Sequence, residues 1–396
     1  MPETRVFLAG GVRTPIGSFG GALAASSAAE LGGLAARAAL ERAGVPLEAV
    51  DEVLVGHARQ AGNGPNLARQ IGRRAGLGDH VPAFTINKAC ASGMQAIVSG
   101  AQSVRLGDSA VALAGGSEHM SSIPFLALDV RWGKKLGDET LVDAMYRDGY
   151  RCPLCDQLMG ETSETLADEY SISRAEQDAY ALESHRRAAR AWAEGRFDSE
   201  VVPVEFAVGK RSVRVERDEH FRADASPEDL AKLKPVFRKD GTITAGNASA
   251  ITDGAAAIVV VSEDAAKRHG IVPQAALLGA TSVGVDPARM GISPVPAVQR
   301  LLERHRLRLD QMDVIELNEA FASQVLACDR ELHFDRERLN VNGGAIALGH
   351  PTGCSGTRIV VALLRELALR KGRYGLATLC VSGGQGMAVL VERVSS

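Results

Sequence analysis

One pattern occurs twice in this chain, and it limits the fold more than any other feature. Cys90-Ala-Ser-Gly93 is followed by a helix-like run, Gly107, an apolar strand and Gly115-Gly116. Cys354-Ser-Gly356 is followed by a helix-like run, Gly372, the strand-like Gly375–Cys380 and Gly383-Gly384. Two copies, each set in more than about a hundred residues, indicate homologous halves; a solenoid repeats every 20–50 residues or so. Sheet-bearing halves of this kind pack through their helices, predicting an α/β/α/β/α sandwich of five layers, with a site drawn from the strand-end loops of both copies.

The local pattern agrees. Val6–Ala9 reads as a strand, Ser27–Ala43 as a helix capped by Ser26 or Ser27, and Val50–Val55 as a strand. Ala83–Asn87, a helix over Ser92–Leu106 and the strand Ser109–Ala114 follow. Strands alternating with helices of this length predict a mostly parallel sheet covered on both faces. From about Met120 to Thr244 the character changes: Trp132-Gly-Lys-Lys, a polar helix Arg174–Glu194 and a charged run Val213–Asp218 predict an inserted loop domain. The expected division is therefore 1–120 plus 245–270, an insertion over 121–244, and a second half over 271–396.

Composition removes several classes. At 396 residues the chain can bury a site and exclude water from it. A formal net charge of -3, basic residues in short scattered runs and 4% aromatics argue against a nucleic-acid partner. Met1–Phe7 lacks the basic and apolar runs of a signal peptide, and no apolar stretch approaches the roughly 18 residues of a membrane span, so a cytoplasmic protein with no membrane partner is expected. Six dispersed cysteines, Cys90, Cys152, Cys155, Cys328, Cys354 and Cys380, suit free thiols. Cys152-Pro-Leu-Cys155 has no second pair at zinc spacing and reads as two unpaired loop cysteines.

Four loops can carry chemistry. Asn87-Lys-Ala-Cys90-Ala-Ser-Gly93 sets a thiol before a helix amino terminus, where the dipole and free N–H groups stabilise a thiolate or an oxyanion. Glycines surround Gly349-His350-Pro351, allowing close approach of a ligand. Cys380 ends an apolar strand before Val381-Ser382-Gly383-Gly384, where a thiol can act as acid or base. In Glu316-Leu-Asn318-Glu319-Ala-Phe321, Asn318 can hold a water or a carbonyl and Glu319 can orient a helix or a histidine. Taken singly, each residue has an ordinary reading as a core thiol, a packed histidine or a capping group.

Together these loops carry a resemblance. Arg13-Thr14-Pro15-Ile16-Gly17, Asn87-Lys-Ala-Cys90-Ala-Ser-Gly, Gly246-Asn247-Ala248-Ser249 with Asp253-Gly-Ala-Ala256, Asn318-Glu319-Ala-Phe321 and Gly349-His350-Pro351 occur in the order of the thiolase family, and the chain resembles that family over nearly its full length. The resemblance implies that Cys90 carries an acyl group, His350 takes its proton, and Cys380 moves the α-proton of the second reactant. It also implies oxyanion sites at Asn318 with His350 and at the backbone N–H groups of Cys90 and Ser382. Coenzyme A would be a co-substrate contacting Arg222, Phe237, Ser249 and Met290, with no permanently bound cofactor and no metal. Homodimers or homotetramers are implied, with Trp132–Leu136 as a candidate contact between dimers; a hydratase–dehydrogenase subunit is a candidate partner.

Two positions depart from the family pattern. Many acetoacetyl-CoA thiolases have His-Met-Gly where this chain has Leu158-Met159-Gly160, which favours a 3-ketoacyl-CoA thiolase of broader chain length. Ser382 replaces the first glycine of Cys-x-Gly-Gly-Gly, and serine tolerates positive φ poorly. Rival readings are an acetoacetyl-CoA thiolase working in condensation, a decarboxylating condensing enzyme, which by resemblance would need a histidine where Cys380 stands, and a non-catalytic acyl-CoA or lipid carrier.

Overall fold

Strand β1 (Val6–Arg13) is buried at every position, and its pairing on both edges ties the molecule together. In the computed structural model the described residues are 4–394; residues 1–3 and 395–396, which the amino-terminal reading and the outermost domain bounds include, lie outside them. After β1 come α1 (Ala28–Ala43), β2 (Glu52–Gly56), α2 (Leu67–Arg74), β3 (Ala83–Ile86), α3 (Ser92–Leu106) and β4 (Val111–His119). Short hairpins and the helices α4 (Met159–Glu169) and α5 (Arg174–Ala193) intervene before β5 (Thr252–Ser262). The chain then runs through β6 (Ala275–Gly284), α6 (Pro294–His305), β7 (Val314–Leu317), α7 (Ala322–Leu332), α8 (Thr352–Arg370), β8 (Tyr374–Val381) and β9 (Gln385–Arg393).

The strand order β7-β8-β9-β6-β1-β5-β4-β2-β3 shows the duplication directly. Reading outward from the β1–β6 junction, β5, β4 and β2 correspond to β9, β8 and β7. Five layers result. One core packs α1 and α2 on the outer face of the first half through Leu31, Leu40, Ile71, Val259 and Val261. A second lies between the halves, where α3 and α8 bury Met94, Ile97, Ile359 and Leu363 beside Ile258 and Val260. A third covers the far face with α6 and α7, through Leu301, Val325, Ile315 and Leu390. Alternate residues of β5 thus serve opposite cores, which explains its unbroken apolar run.

The sheet is mixed, where the sequence pattern predicts a mostly parallel one. Among the strands of the described residues' main sheet, β3-β2-β4 and β7-β8 pair parallel and the others antiparallel. Helical crossovers produce parallel neighbours, whereas the turn Ser382–Gly384 is too short for a crossover and returns β9 antiparallel to β8. The first half keeps the antiparallel pairing of β4 with β5, but the inserted segment stands where that turn would be. Its helix α5 starts with a reciprocal cap: the Ser173 hydroxyl accepts from Glu176 N–H at 3.2 Å, and the Glu176 carboxylate accepts from Ser173 N–H at 2.7 Å. Among the described residues no helix is long and apolar enough to cross a membrane.

Candidate active site

A cavity of about 340 Å3 opens where the strand ends of both halves meet, and Cys90, His350, Cys380 and Ser382 all line it. Cys90 stands between β3 and α3, one residue before the helix cap Ala91. The turn is held by Ala89 in the left-handed region (φ 45°), by Asn87 Oδ1 accepting from Ala89 N–H at 3.0 Å, and by the Ser92 hydroxyl accepting from Lys88 N–H at 2.8 Å. The elbow lifts the thiol out of the helix and into the cavity. Burial pushes the Cys90 thiol up; the Arg59 charge opposes it, followed by the backbone N–H groups of Ser382 and of Cys90 itself.

His350 follows Gly349, whose φ of 107° only glycine adopts readily, and its N–H donates to Ala250 C=O at 3.1 Å. The Ser355 hydroxyl donates to Pro351 C=O at 3.0 Å, so it must accept at its 2.6 Å contact with His350 Nδ1. That arrangement assigns the proton to Nδ1 and leaves Nε2 as a lone pair, without a partner among the described residues. Burial, then the Arg358 and Arg59 charges, lower the imidazole to about 3. The ring is therefore neutral at physiological pH and oriented as a base.

Cys380 is the penultimate residue of β8, fully buried, and burial followed by the neighbouring Cys90 and Cys328 raises its thiol well above the ordinary range. Parallel pairing of β7 with β8 sets Asn318 at the same level, through Asn318 N–H donating to Thr378 C=O at 3.0 Å. Both atoms of the Asn318 amide are buried without a partner among the described residues, although Asn318 is absent from the cavity lining. Ser382 does not need glycine's freedom: it lies outside the positive-φ region, which Gly383 (85°) and Gly384 (78°) occupy. The backbone restriction expected of serine is therefore not present, and its N–H reaches the Cys90 sulfur.

Of the coenzyme A candidates, Phe237, Ser249 and Met290 line the cavity and Arg222 does not. Arg222 is exposed; its N–H donates to His185 Nδ1 at 3.1 Å, and its charge lowers His220, a lining residue, after burial. Leu158 and Met159 line the cavity beside Tyr146 and Tyr150. Cys152 and Cys155 flank the turn before Leu158 as free thiols, and Cys155 is pushed up by burial and by a hydrogen bond with Cys152. Among the described residues no group of His, Cys, Asp and Glu is placed to hold a metal ion.

Sequence reading missed the polar cluster behind the thiol. Glu118, at the end of β4, accepts from Ala58 and Arg59 N–H (both 3.0 Å), the Thr352 hydroxyl (2.8 Å) and Gly353 N–H (2.7 Å), with His57 Nδ1 at 2.8 Å. Burial raises its carboxyl, but the charge and hydrogen bond of His57, then Arg59 and Thr352, bring it to about 2. Glu118 thereby caps α8 from the other half. The signal was a carboxylate closing an otherwise apolar strand.

Other motif residues hold the scaffold. Glu319 accepts from Tyr180 (2.8 Å), Ser184 (2.7 Å), Asn340 (3.1 Å) and Ile346 N–H (3.1 Å), tying α5 to the loop before His350. Asn247 bonds Asp178 at 2.9 Å, and buried Arg13 grips Asp218 at 2.6 and 2.9 Å.

Comparison with known proteins places these features in context. Residues 6–264 match the family model described as "Thiolase, N-terminal domain", and residues 271–393 match "Thiolase, C-terminal domain". A "Probable acetyl-CoA acetyltransferase" of Escherichia coli is 49% identical over 388 residues, covering 98% of this chain and 99% of that protein. The crystal structure of the Bacillus anthracis acetyl-CoA acetyltransferase superposes with a TM-score of 0.97 at 45% identity, covering 99% of each chain. Human mitochondrial 3-ketoacyl-CoA thiolase gives 0.96 at 44% identity, again over 99% of each chain.

Proposed function

Because the chain belongs to the thiolase family and is an acyltransferase of it, we propose that it transfers acetyl units between coenzyme A thioesters, with Cys90 as the acyl carrier. The observation that carries this reading is the convergence of Cys90, Cys380 and the unpartnered His350 Nε2 on one cavity. Cys90 Sγ gives its proton to His350 and attacks the thioester carbonyl; the carbon–sulfur bond to coenzyme A breaks, and the departing thiolate takes its proton from the Cys380 thiol. Cys380, now a thiolate, removes an α-proton from a second acetyl-CoA. The resulting carbanion attacks the acyl carbonyl, a carbon–carbon bond forms, and Cys90 leaves as thiolate and recovers its proton from His350. Thiolysis is the same sequence reversed.

Each proton carrier suits its step. A neutral imidazole accepts from a thiol, and a thiol with a raised pKa gives a thiolate basic enough to remove an α-proton. Asn318 with His350, and the N–H groups of Cys90 and Ser382, are the two sites we assign to the developing oxyanions. Phe237, Ser249 and Met290 would hold the pantetheine arm, with Arg222 toward the nucleotide.

The names of the similar proteins favour acetyl-CoA acetyltransferase over 3-ketoacyl-CoA thiolase activity. The longer-chain reading is supported by the apolar Leu158 in the cavity wall. CoA-dependent cleavage of 3-oxoacyl-CoAs of four to sixteen carbons separates them: turnover confined to four carbons supports the first, turnover across the series the second. No cleavage at any length by folded protein refutes both. Cys90→Ala is the control.

The same proposal places the protein in the cytoplasm, divides the chain at 121–244 and 271 as the motifs suggest, and assembles it as a tetramer. Trp132 and Leu136, 93% and 91% exposed, supply an apolar surface for pairing dimers. A sedimentation mass of two chains would remove the tetramer.

A further inference from the structure

Arg59 is a buried cation that the acyl-transfer chemistry above does not use. It is only 6% exposed, yet it lines the same cavity as Cys90 and His350. Its guanidinium lies 5.6 Å from the Tyr150 ring centroid and donates one long bond, 3.4 Å, to Asp148 C=O, while Nε is buried without a partner. It forms no ion pair with a carboxylate among the described residues. Glu118, whose ionised form the Arg59 charge helps to hold, is the counter-charge in the cluster, but its oxygens accept from Ala58 and Arg59 N–H, Thr352 and Gly353 and face His57, so among the described residues no carboxylate hydrogen-bonds the guanidinium. Tyr150 lines the same wall.

A buried guanidinium whose N–H groups lack close acceptors is costly to desolvate, so its retention in an otherwise largely apolar cavity calls for an acceptor anion supplied from outside. Cys90 does not supply one at rest, since burial favours its neutral thiol. We propose that Arg59, with Tyr150 beside it, is a specificity-determining subsite for an acyl chain ending in a second carboxylate, so that the preferred substrate is a 3-oxo-dicarboxylyl-CoA. A carboxylate matches the planar guanidinium fork, and because Arg59 and Cys90 line one cavity, a short chain can put the 3-oxo carbon that Cys90 attacks at the sulfur and the free carboxylate at Arg59. This inference rests on the acyl transfer through Cys90 proposed above.

The test compares thiolysis of two six-carbon substrates, 3-oxohexanoyl-CoA and its analogue ending in a carboxylate, with acetoacetyl-CoA as the reference. The expected result is a kcat/KM for the carboxylated substrate on the order of 10- to 100-fold above that for 3-oxohexanoyl-CoA. In Arg59→Leu that ratio should collapse or invert, and Arg59→Lys should restore part of it. Equal turnover of both substrates by the unsubstituted protein, or preference for the uncharged one, overturns the proposal whether or not the variant folds. A uniform loss on both substrates in Arg59→Leu, together with a shifted pH profile of Cys90 alkylation, also overturns it, because Arg59 would then act on the thiol. Failure on all three substrates, acetoacetyl-CoA included, instead refutes the acyl-transfer reading beneath it.

Discussion

Cys90 and Cys354 occupy equivalent places in the two halves, each at the start of a helix after a strand-end loop, yet their chemistry differs. Cys90 precedes its helix, raised by the left-handed Ala89 and open to the cavity. Cys354 is the third residue of α8, 1% exposed, and burial lifts its thiol to about 12. The motifs differ by one residue, Cys-Ala-Ser-Gly against Cys-Ser-Gly, and that residue separates a thiol in a turn from one inside a helix. The second half contributes instead from the loop before its helix, through His350. A duplicated fold thus yields one nucleophile and one base. The glycines match as well: a Cβ on Gly93 would sit 2.8 Å from Gly353 C=O, so both helices need glycine where they cross.

The sharpest way to break this comparison is to exchange the cysteines for alanine. Cys90→Ala should lower kcat by at least about 10^4-fold, whereas Cys354→Ala should keep kcat within a few fold and cost about 1 kcal/mol of stability. Steady-state kinetics and denaturant unfolding check both. Equal losses would mean that the halves are not chemically distinct.

Ser382 tests the contribution of the second half to the Cys90 site. Removal of its N–H in Ser382→Pro should cost about 10^2- to 10^3-fold in kcat, while Ser382→Gly should change it by less than about threefold. A large gain in Ser382→Gly would show that serine does restrict the turn.

A smaller effect should appear in acid. His350 is lowered to about 3, so between its unfolded value near 6.5 and that value the unfolded chain binds the extra proton, and stability is lost as pH falls through this window. Glu118, held at about 2 against 4.5, adds a further loss as pH falls below about 4.5. Urea midpoints from pH 7 to 4 should fall, and His350→Gln should flatten the part above pH 5. An unchanged slope in that variant would remove His350 as the source.

Motif and period made much of this legible. Helix α3 begins and ends where its pattern predicts, at Ser92 and Leu106, because the apolar spacing and Gly107 mark it. The cysteines and His350 stood out because glycine and proline surround them. The antiparallel return of β5 and β9 was not legible, since period-2 apolar runs look alike in either direction. Nor did the motifs distinguish Asn318, orphaned near the thiols, from Glu319, which carries four hydrogen bonds of the scaffold.

The sequence alone determined the duplication, the helices and the reactive residue types, because these depend on local spacing and side-chain chemistry. Tertiary structure decided which groups are charged and which face each other. The proton on His350 Nδ1 depends on Ser355 and Pro351, and Glu118 depends on donors from His57–Arg59 and Thr352–Gly353. Nothing in the sequence marks Arg59, and only the packing around Tyr150 and Asp148 makes it a buried cation on the cavity wall with Nε unpartnered among the described residues. Desolvation and pairing between distant segments set those states, and neither is written in local sequence.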